Sequence, residues 1–316
     1  MQIFRSVPDV ANSPVALTIG NFDGLHLGHQ AMLSKLRAAA KARGLPACVM
    51  TFEPHPREFF APDQAPARLT SLREKLELLA AHGVDRVQLC RFNFALAQVT
   101  AQDFIERILV RGLGVRWLQV GDDFRFGARR AGDLALLKRA GLEFDYTVES
   151  MPTVLVGDER ASSTAVRTAL TAGRMTHAQQ LLGRRYSISG KVVRGDRLGR
   201  QLGYPTANIH IPDARPALYG IFAVTLTRPD GKPLQGVASL GVRPTVKARG
   251  AAPVLEVYLF DFNEDIYGER VHVAFWHKFR DEAKYVDLDT LKQQIALDVS
   301  AARAYFAQVA ADGVTA

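Results

Sequence analysis

Short apolar, β-branched runs alternate with longer segments of helical period through the first half of the chain. Residues 15–19, Val-Ala-Leu-Thr-Ile, read as a buried strand. Residues 30–41 combine strong helix formers with an apolar repeat of helical period. A second strand over 47–52 runs into Glu53-Pro54-His55-Pro56, which must leave the sheet because proline donates no ladder hydrogen bond. The pattern then predicts a helix over 72–82, a strand over 86–90, a helix over 100–109 capped by Thr100, a strand over 117–120, a helix over 134–140 and a strand over 144–148. Such alternation implies a mostly parallel, doubly wound α/β sheet, whose ligands sit outside the carboxyl ends of the strands. The turn after residue 19, the Glu53-Pro54-His55-Pro56 segment and residues 121–127 all follow strand ends, so they can converge.

Beyond Gly183 the pattern changes. A helical run follows Ser162-Ser163-Thr164, and a short helix over 176–182 stops at Gly183. Residues 186–193, 221–226, 235–240, 254–260 and 270–276 are then short strands with turns between them, Pro229-Asp230-Gly231-Lys232 being a clear turn signal. This half reads as an antiparallel barrel or sandwich with a closing helix over 288–307. The expected domains are therefore 1–183 and 184–316, with no long linker.

Composition narrows the class. The chain has 316 residues, 47% hydrophobic and 23% charged, which is globular and long enough for two domains. A net charge of +8 suits anionic ligands, and alone it would equally suit nucleic acid. No Lys/Arg block marks a nucleic-acid arm. Cys48 and Cys90 fit neither a disulfide framework nor a zinc motif. Residues 1–5 lack a signal-peptide core, and no apolar run reaches ~18 residues. The expectation is a soluble cytoplasmic protein, a monomer or weak homo-oligomer, with small-molecule substrates and no nucleic-acid or membrane partner.

The strongest chemical signal is Gly20-Asn21-Phe22-Asp23-Gly24-Leu25-His26-Leu27-Gly28-His29, placed between strand and helix. A helix that opens there offers free N–H groups and a positive dipole end to an anion. His26 and His29 are three apart, so they share a face on the first turn. Imidazole can donate to a phosphate oxygen, more strongly when protonated. The bland alternative is a turn with two incidental histidines. The stretch resembles the His-x-Gly-His signature of nucleotidyltransferases, and the wider string is similar to the bacterial bifunctional riboflavin kinase/FAD synthetase family.

That resemblance extends along most of the chain and implies roles for further residues. In the first domain it implies a Rossmann-like nucleotidyltransferase site with His26, His29 and Arg167 as catalytic groups. Gly20, Phe22, Asp23 and Gly28 would bind the nucleotide, together with Asp123 of Gly121-Asp122-Asp123-Phe124-Arg125-Phe126-Gly127 and the hydroxyls of Ser162-Ser163-Thr164. Phe52, Pro54, His55, Pro56 and Phe126 would meet the flavin. Read by themselves, these segments are a proline-stiffened loop, a polar turn and a helix cap.

In the second domain the resemblance rests on Gly195-Asp196-Arg197-Leu198-Gly199-Arg200-Gln201-Leu202-Gly203-Tyr204-Pro205-Thr206-Ala207-Asn208. It is no Walker A motif, but a glycine-rich loop can wrap phosphates with backbone N–H groups. Gly195, Gly199 and Gly203 are the expected nucleotide contacts. Thr206 and Asn208, two apart on an extended segment, point the same way and suit Mg²⁺ held with nucleotide phosphates. Glu256, a lone acid in an otherwise almost wholly apolar run, matches the family's proposed catalytic base. Arg280 of Arg280-Asp281-Glu282 is an expected flavin contact, and Gly241-Val242-Arg243-Pro244-Thr245 is a further match. Ser239 departs from the asparagine expected there.

The implied function is ATP-dependent phosphorylation of riboflavin to FMN, then adenylylation of FMN to FAD with release of pyrophosphate, both steps with Mg²⁺. Two other readings stay open: an RNA-binding module with a degenerate enzyme half, and a nucleotidyltransferase acting on another cofactor precursor. Against the first, the barrel lacks an aromatic and basic stacking array.

Overall fold

The computed structural model describes residues 1–195, 198–211, 215–242 and 253–313. By packing, the chain divides into one unit of Met1–Pro66 with Leu72–Ser163 and another of Ala67–Ser71 with Thr164–Ala316.

The first unit is built on six strands: β1 (Gln2–Phe4), β2 (Val15–Ile19), β3 (Ala47–Glu53), β4 (Arg86–Arg91), β5 (Val115–Gly121) and β6 (Thr147–Met151). Their order is β1-β4-β3-β2-β5-β6 and all pairs are parallel. All five residues of β2 are buried, as a central strand covered on both faces requires. On one face, Leu33, Leu36 and Ala40 of helix α1 (Leu27–Arg43) pack with Ala16, Val49, Val87 and Trp117. On the other, Leu17, Ile19, Met50 and Leu118 pack with Leu109 and Leu137. The doubly wound sheet is as expected.

Several boundaries differ from the sequence pattern. The fifth predicted strand begins at Thr147, because the preceding helix runs on to Glu143 and Asp145 turns with a φ of 56°. The helix expected over 100–109 is capped by Thr100, which accepts from Asp103 N, but widens into a π-type segment over Phe104–Gly112. The loop after β3 is a short helix, α2 (Pro56–Phe60). A small hairpin, β7 (Leu155–Val156) and β8 (Glu159–Arg160), was not foreseen.

The second unit contains β9 (Ser187–Val193), β10 (Thr206–His210), β11 (Gly220–Thr227), β12 (Pro233–Val242), β13 (Pro253–Leu259) and β14 (Arg270–Arg280). They close into a barrel in the order β10-β13-β12-β11-β14-β9, every pair antiparallel. Closure leaves no strand edge to water. Leu255, Val257 and Leu259 of β13 are buried, alternating with half-buried Glu256 and Tyr258. The outer wall around Ile221, Ala223, Val237 and Trp276 is covered by Ala302 and Phe306 of the closing helix (Leu288–Ala311). Helices Ser163–Thr171 and Met175–Leu182 belong almost wholly to this unit, although the strand pattern changes only after Gly183.

The closing helix is tied to the barrel by charge as well as packing. Asp298, 7% exposed, accepts from Arg280 Nε at 2.9 Å and Nη2 at 2.6 Å, and from Gln294 Nε2 at 3.0 Å. A bidentate pair this withdrawn from water is hard to break from one side. Asp298→Ala is expected to destabilise the protein by about 3 kcal/mol by stranding the guanidinium. Urea unfolding followed by circular dichroism measures this, and an unchanged midpoint would show that helical packing alone holds the end of the chain.

Candidate active sites

The first site forms where β2 ends. The chain must turn sharply there, since Ile19 is still inside the core. Phe22 and Leu25 take left-handed φ values of 49° and 43°, uncommon for bulky residues and held here by full burial of both side chains. Gln30 Nε2 donates to Leu25 O at 2.9 Å and pins the turn to the helix it precedes. His26 is the N-cap of α1 and its side chain makes no cap bond. The first turn of α1 carries no acid, while Lys41 and Arg43 occupy its last turn. The positive end of the dipole is thus left for an anion.

The imidazoles of His26 and His29 stack with centroids 3.7 Å apart, and the Phe22 ring abuts His29 at 4.9 Å. Gly28 allows this: a Cβ there would lie 3.1 Å from both the His26 ring and the Ala161 carbonyl. Burial first, then the neighbouring His26 and Lys75 charges, holds His29 well below the usual histidine range. Among the described residues, His29 Nδ1 is buried without a hydrogen-bond partner. Both histidines line a cavity of about 210 Å³ with Gly20, Gly28, residues 121–124, residues 151–154 and residues 160–162.

The expected residues divide into those that line this cavity and those that build it. Gly20, Gly28, His26, His29, Asp123 and Ser162 line it. Phe22 and Asp23 are buried in the turn, and the Asp23 carbonyl accepts from Ser163 Oγ at 2.9 Å. Phe126 is 6% exposed between Phe104 and Phe124, and Phe124 is the ring that reaches the cavity. His55 Nδ1 caps α2 by accepting from Arg57 N at 3.0 Å, with Glu58 returning a bond to His55 N. Pro54 and Pro56 flank it. Phe52 begins an aromatic cluster, edge-on to Phe92, which Phe59 and Phe60 also meet edge-on. Thr164 and Arg167 fall in the second unit, where Arg167 Nε donates to Ala67 O at 2.6 Å.

Two residues here escaped the sequence reading. Lys75 is a buried lysine within reach of His29. Its signal was a lysine inside the apolar stripe of Leu72, Leu76 and Leu79 on helix α3 (Leu72–Ala81). Arg160 pairs with Asp123 at 3.1 Å, and no spacing in the sequence marks that contact.

The second site lies across the outer face of the barrel. Asn208 faces Glu256 in register, and Glu256 faces Ser239. Direct cross-strand partners share a face, so amide, carboxylate and hydroxyl form one row. Thr206, two residues before Asn208, joins that face. Because β13 is paired on both sides, Glu256 is not on a solvated edge. Gly195 packs against the Asn208 amide, where a Cβ would come within 2.6 Å, and Gly199 backs onto the Tyr204 carbonyl, with a Cβ there 3.3 Å from the Thr206 hydroxyl. Gly203 takes a φ of 90° in the turn before β10. Asn208 Oδ1 is buried and, among the described residues, without a hydrogen-bond partner. A buried orphan acceptor beside the Thr206 hydroxyl fits a hard cation.

Ser239 Oγ donates to Glu282 Oε1 at 3.0 Å, so the unexpected serine serves the segment beyond β14. Arg280, expected at the flavin, donates to both carboxylate oxygens of Asp298. Asp196, Arg197, Arg243, Pro244 and Thr245 lie outside the described residues. Among the described residues, no helix is long and apolar enough to cross a membrane.

Comparison with known proteins agrees with this geometry. A family model described as FAD synthetase matches residues 9–165, and one described as riboflavin kinase matches 182–306. The bifunctional riboflavin kinase/FMN adenylyltransferase of Escherichia coli K12 is 47% identical over 309 residues, covering 97% of this chain and 98% of that one. Its counterpart in Pseudomonas fluorescens is 49% identical over 287 residues, covering 91% of each. A crystal structure titled macrolide-efflux protein, from Streptococcus pneumoniae, superposes with a TM-score of 0.78 at 30% identity, covering 94% of this chain and 96% of that one. With both halves matched and near full-length relatives at this identity, the chain belongs to the bifunctional riboflavin kinase/FMN adenylyltransferase family.

Proposed function

We propose that the two activities of this family are carried by the two sites described above, each on its own unit. The protein converts riboflavin to FMN with ATP, and FMN to FAD with a second ATP. The observation that carries the assignment is the stacked His26 and His29 at an acid-free helix N-terminus, lining a cavity at the strand ends. Such a site holds a polyphosphate and offers no strong base. Adenylyl transfer needs none, because its nucleophile, the FMN phosphate, is already ionised at neutral pH. An FMN phosphate oxygen bonds to the α-phosphorus of ATP, the bond from that phosphorus to the bridging oxygen breaks, and pyrophosphate leaves. His29, the α1 N–H groups and the Ser162 hydroxyl stabilise charge on the phosphates. Phe52 and the proline-flanked His55 are proposed to face the flavin.

The kinase step poses the opposite problem. Its nucleophile is a neutral ribityl hydroxyl, which must lose a proton as it attacks the γ-phosphate. Glu256 is proposed as the acceptor of that proton. Thr206 and Asn208 would hold Mg²⁺, which supplies charge compensation to the ATP phosphates. Gly195, Gly199 and Gly203 let the loop backbone approach them. The reading extends to a cytoplasmic enzyme that needs no nucleic-acid or membrane partner, and to a functional boundary near Gly183-Arg184.

Three outcomes follow for purified protein. His29→Ala is expected to slow FAD formation from supplied FMN by roughly 100-fold while riboflavin phosphorylation continues, and Glu256→Gln to do the reverse by a similar factor. Product chromatography resolves both, and a variant that loses neither activity removes its residue from the mechanism. For the boundary, a chain of residues 184–316 should make FMN and no FAD, and FAD from that fragment would overturn the division of labour.

The third outcome concerns pH. The folded protein depresses the pKa of His29 below the unfolded value of about 6.5. Between those two values the unfolded state binds more protons, so stability rises with pH there. It is therefore lost as pH falls below about 6.5. Urea titrations at pH 7.5 and 5.5 should show a smaller difference for His29→Gln than for the unmodified protein, and equal differences would deny a buried neutral imidazole.

A further inference from the structure

The cavity proposed for ATP has an acidic wall. Asp122 and Asp123 stand side by side on the loop after β5, and both line it. ATP is itself polyanionic, and like charges at this range disfavour binding. Among the described lining residues, Arg160 is the one that is always cationic. His29 does not share the task, because burial holds its imidazole neutral.

Arg160 occupies a defined place. The β7–β8 hairpin pairs Leu155 with Arg160 and Val156 with Glu159, and the chain then runs through Ala161 to Ser162. One short segment thus brings a guanidinium and a hydroxyl to the same cavity. Arg160 Nη2 donates to Asp123 Oδ2 at 3.1 Å. Both side chains are more than half exposed, at 53% and 67%. A pair so exposed adds little to folding, so stability does not account for it. Its charge does act on whatever enters the cavity beside it.

We propose that Arg160 is a positioning residue for ATP in adenylyl transfer. It neutralises Asp123 and fixes its orientation. The carboxylate can then accept from hydrogen-bond donors of the nucleoside without repelling the triphosphate. This inference rests on the reading of this cavity as the ATP site.

The test is steady-state FAD synthesis by the full-length protein from supplied FMN, with ATP varied. Arg160→Ala is expected to raise KM for ATP about tenfold with kcat within twofold, and Arg160→Lys to recover most of the loss. The KM difference should shrink between 50 and 500 mM salt, because exposed charges are screened. In an Asp123→Asn background, adding Arg160→Ala should change KM by less than twofold, since the carboxylate that Arg160 engages is gone. A merely structural role would produce neither the salt dependence nor this non-additivity. An Arg160→Ala KM within twofold of the unmodified protein overturns the inference, as does an undiminished tenfold effect in the Asp123→Asn background. If the unmodified protein forms no FAD, the ATP-site reading falls and takes this inference with it. Normal FAD synthesis with an unaltered KM in Arg160→Ala sinks the inference alone.

Discussion

The first unit depends on the complete burial of β2. A strand covered on both faces cannot leave its sheet gradually. Within a few residues of Ile19 the chain must pass from dry core to helix, and it does so through two left-handed residues locked by their own buried side chains. That turn forms part of the wall of the candidate site. It aims the N-terminus of α1 at the carboxyl edge of the sheet and brings His26 onto His29. Because β2 lies between β3 and β5, the loops after all three neighbouring strands reach the same edge. The candidate site sits there because neighbouring strands end there.

The barrel meets its own constraint by closure. With every strand paired on both sides, alternation along each strand and register between strands decide what faces outward. Asn208, Glu256 and Ser239 come from three separate strands yet form one row, since each is the direct partner of the next. A one-residue slip in β13 would turn Glu256 inward and Leu255, Val257 and Leu259 outward. Burying that carboxylate unpaired would be costly. The apolar side of β13 therefore protects the position of its single acid.

Charge is handled differently at the two ends of the molecule's chemistry. Around the histidine turn, the groups facing an anion are backbone N–H groups and a neutral imidazole, with a guanidinium already engaged by Asp123. Around Asn208, the waiting groups are oxygen donors, which suit a cation better than a phosphate. Guanidinium groups that looked available in the sequence are in several cases occupied. Arg280 is held by Asp298, and Arg167 donates to Ala67. A sequence shows that an arginine exists, but its bonding depends on which carboxylate or carbonyl the fold brings beside it.

Much of the architecture was legible in the sequence, because it follows from local periodicity. A buried strand reads as an apolar run and an amphipathic helix as a 3.6-residue repeat. The change of pattern after Gly183 announced a second architecture. The histidine turn was legible too, since its glycines, its flanking strand and its helix are contiguous. What the sequence left open was whatever depends on long-range pairing. It could not choose between barrel and sandwich, because closure is a property of the last strand pair and not of any strand. Nor could it place Phe126 in the core and Phe124 at the cavity, since the two rings are two residues apart in one loop. Lys75 and Arg160 reach the histidine site from elements far along the chain, and helices Ser163–Thr171 and Met175–Leu182 pack almost entirely with the unit that follows them. Short-range patterning sets which residues are strand, helix or turn. Only the tertiary structure decides which distant charges meet, because burial and register bring them together across sequence separations that no local pattern records.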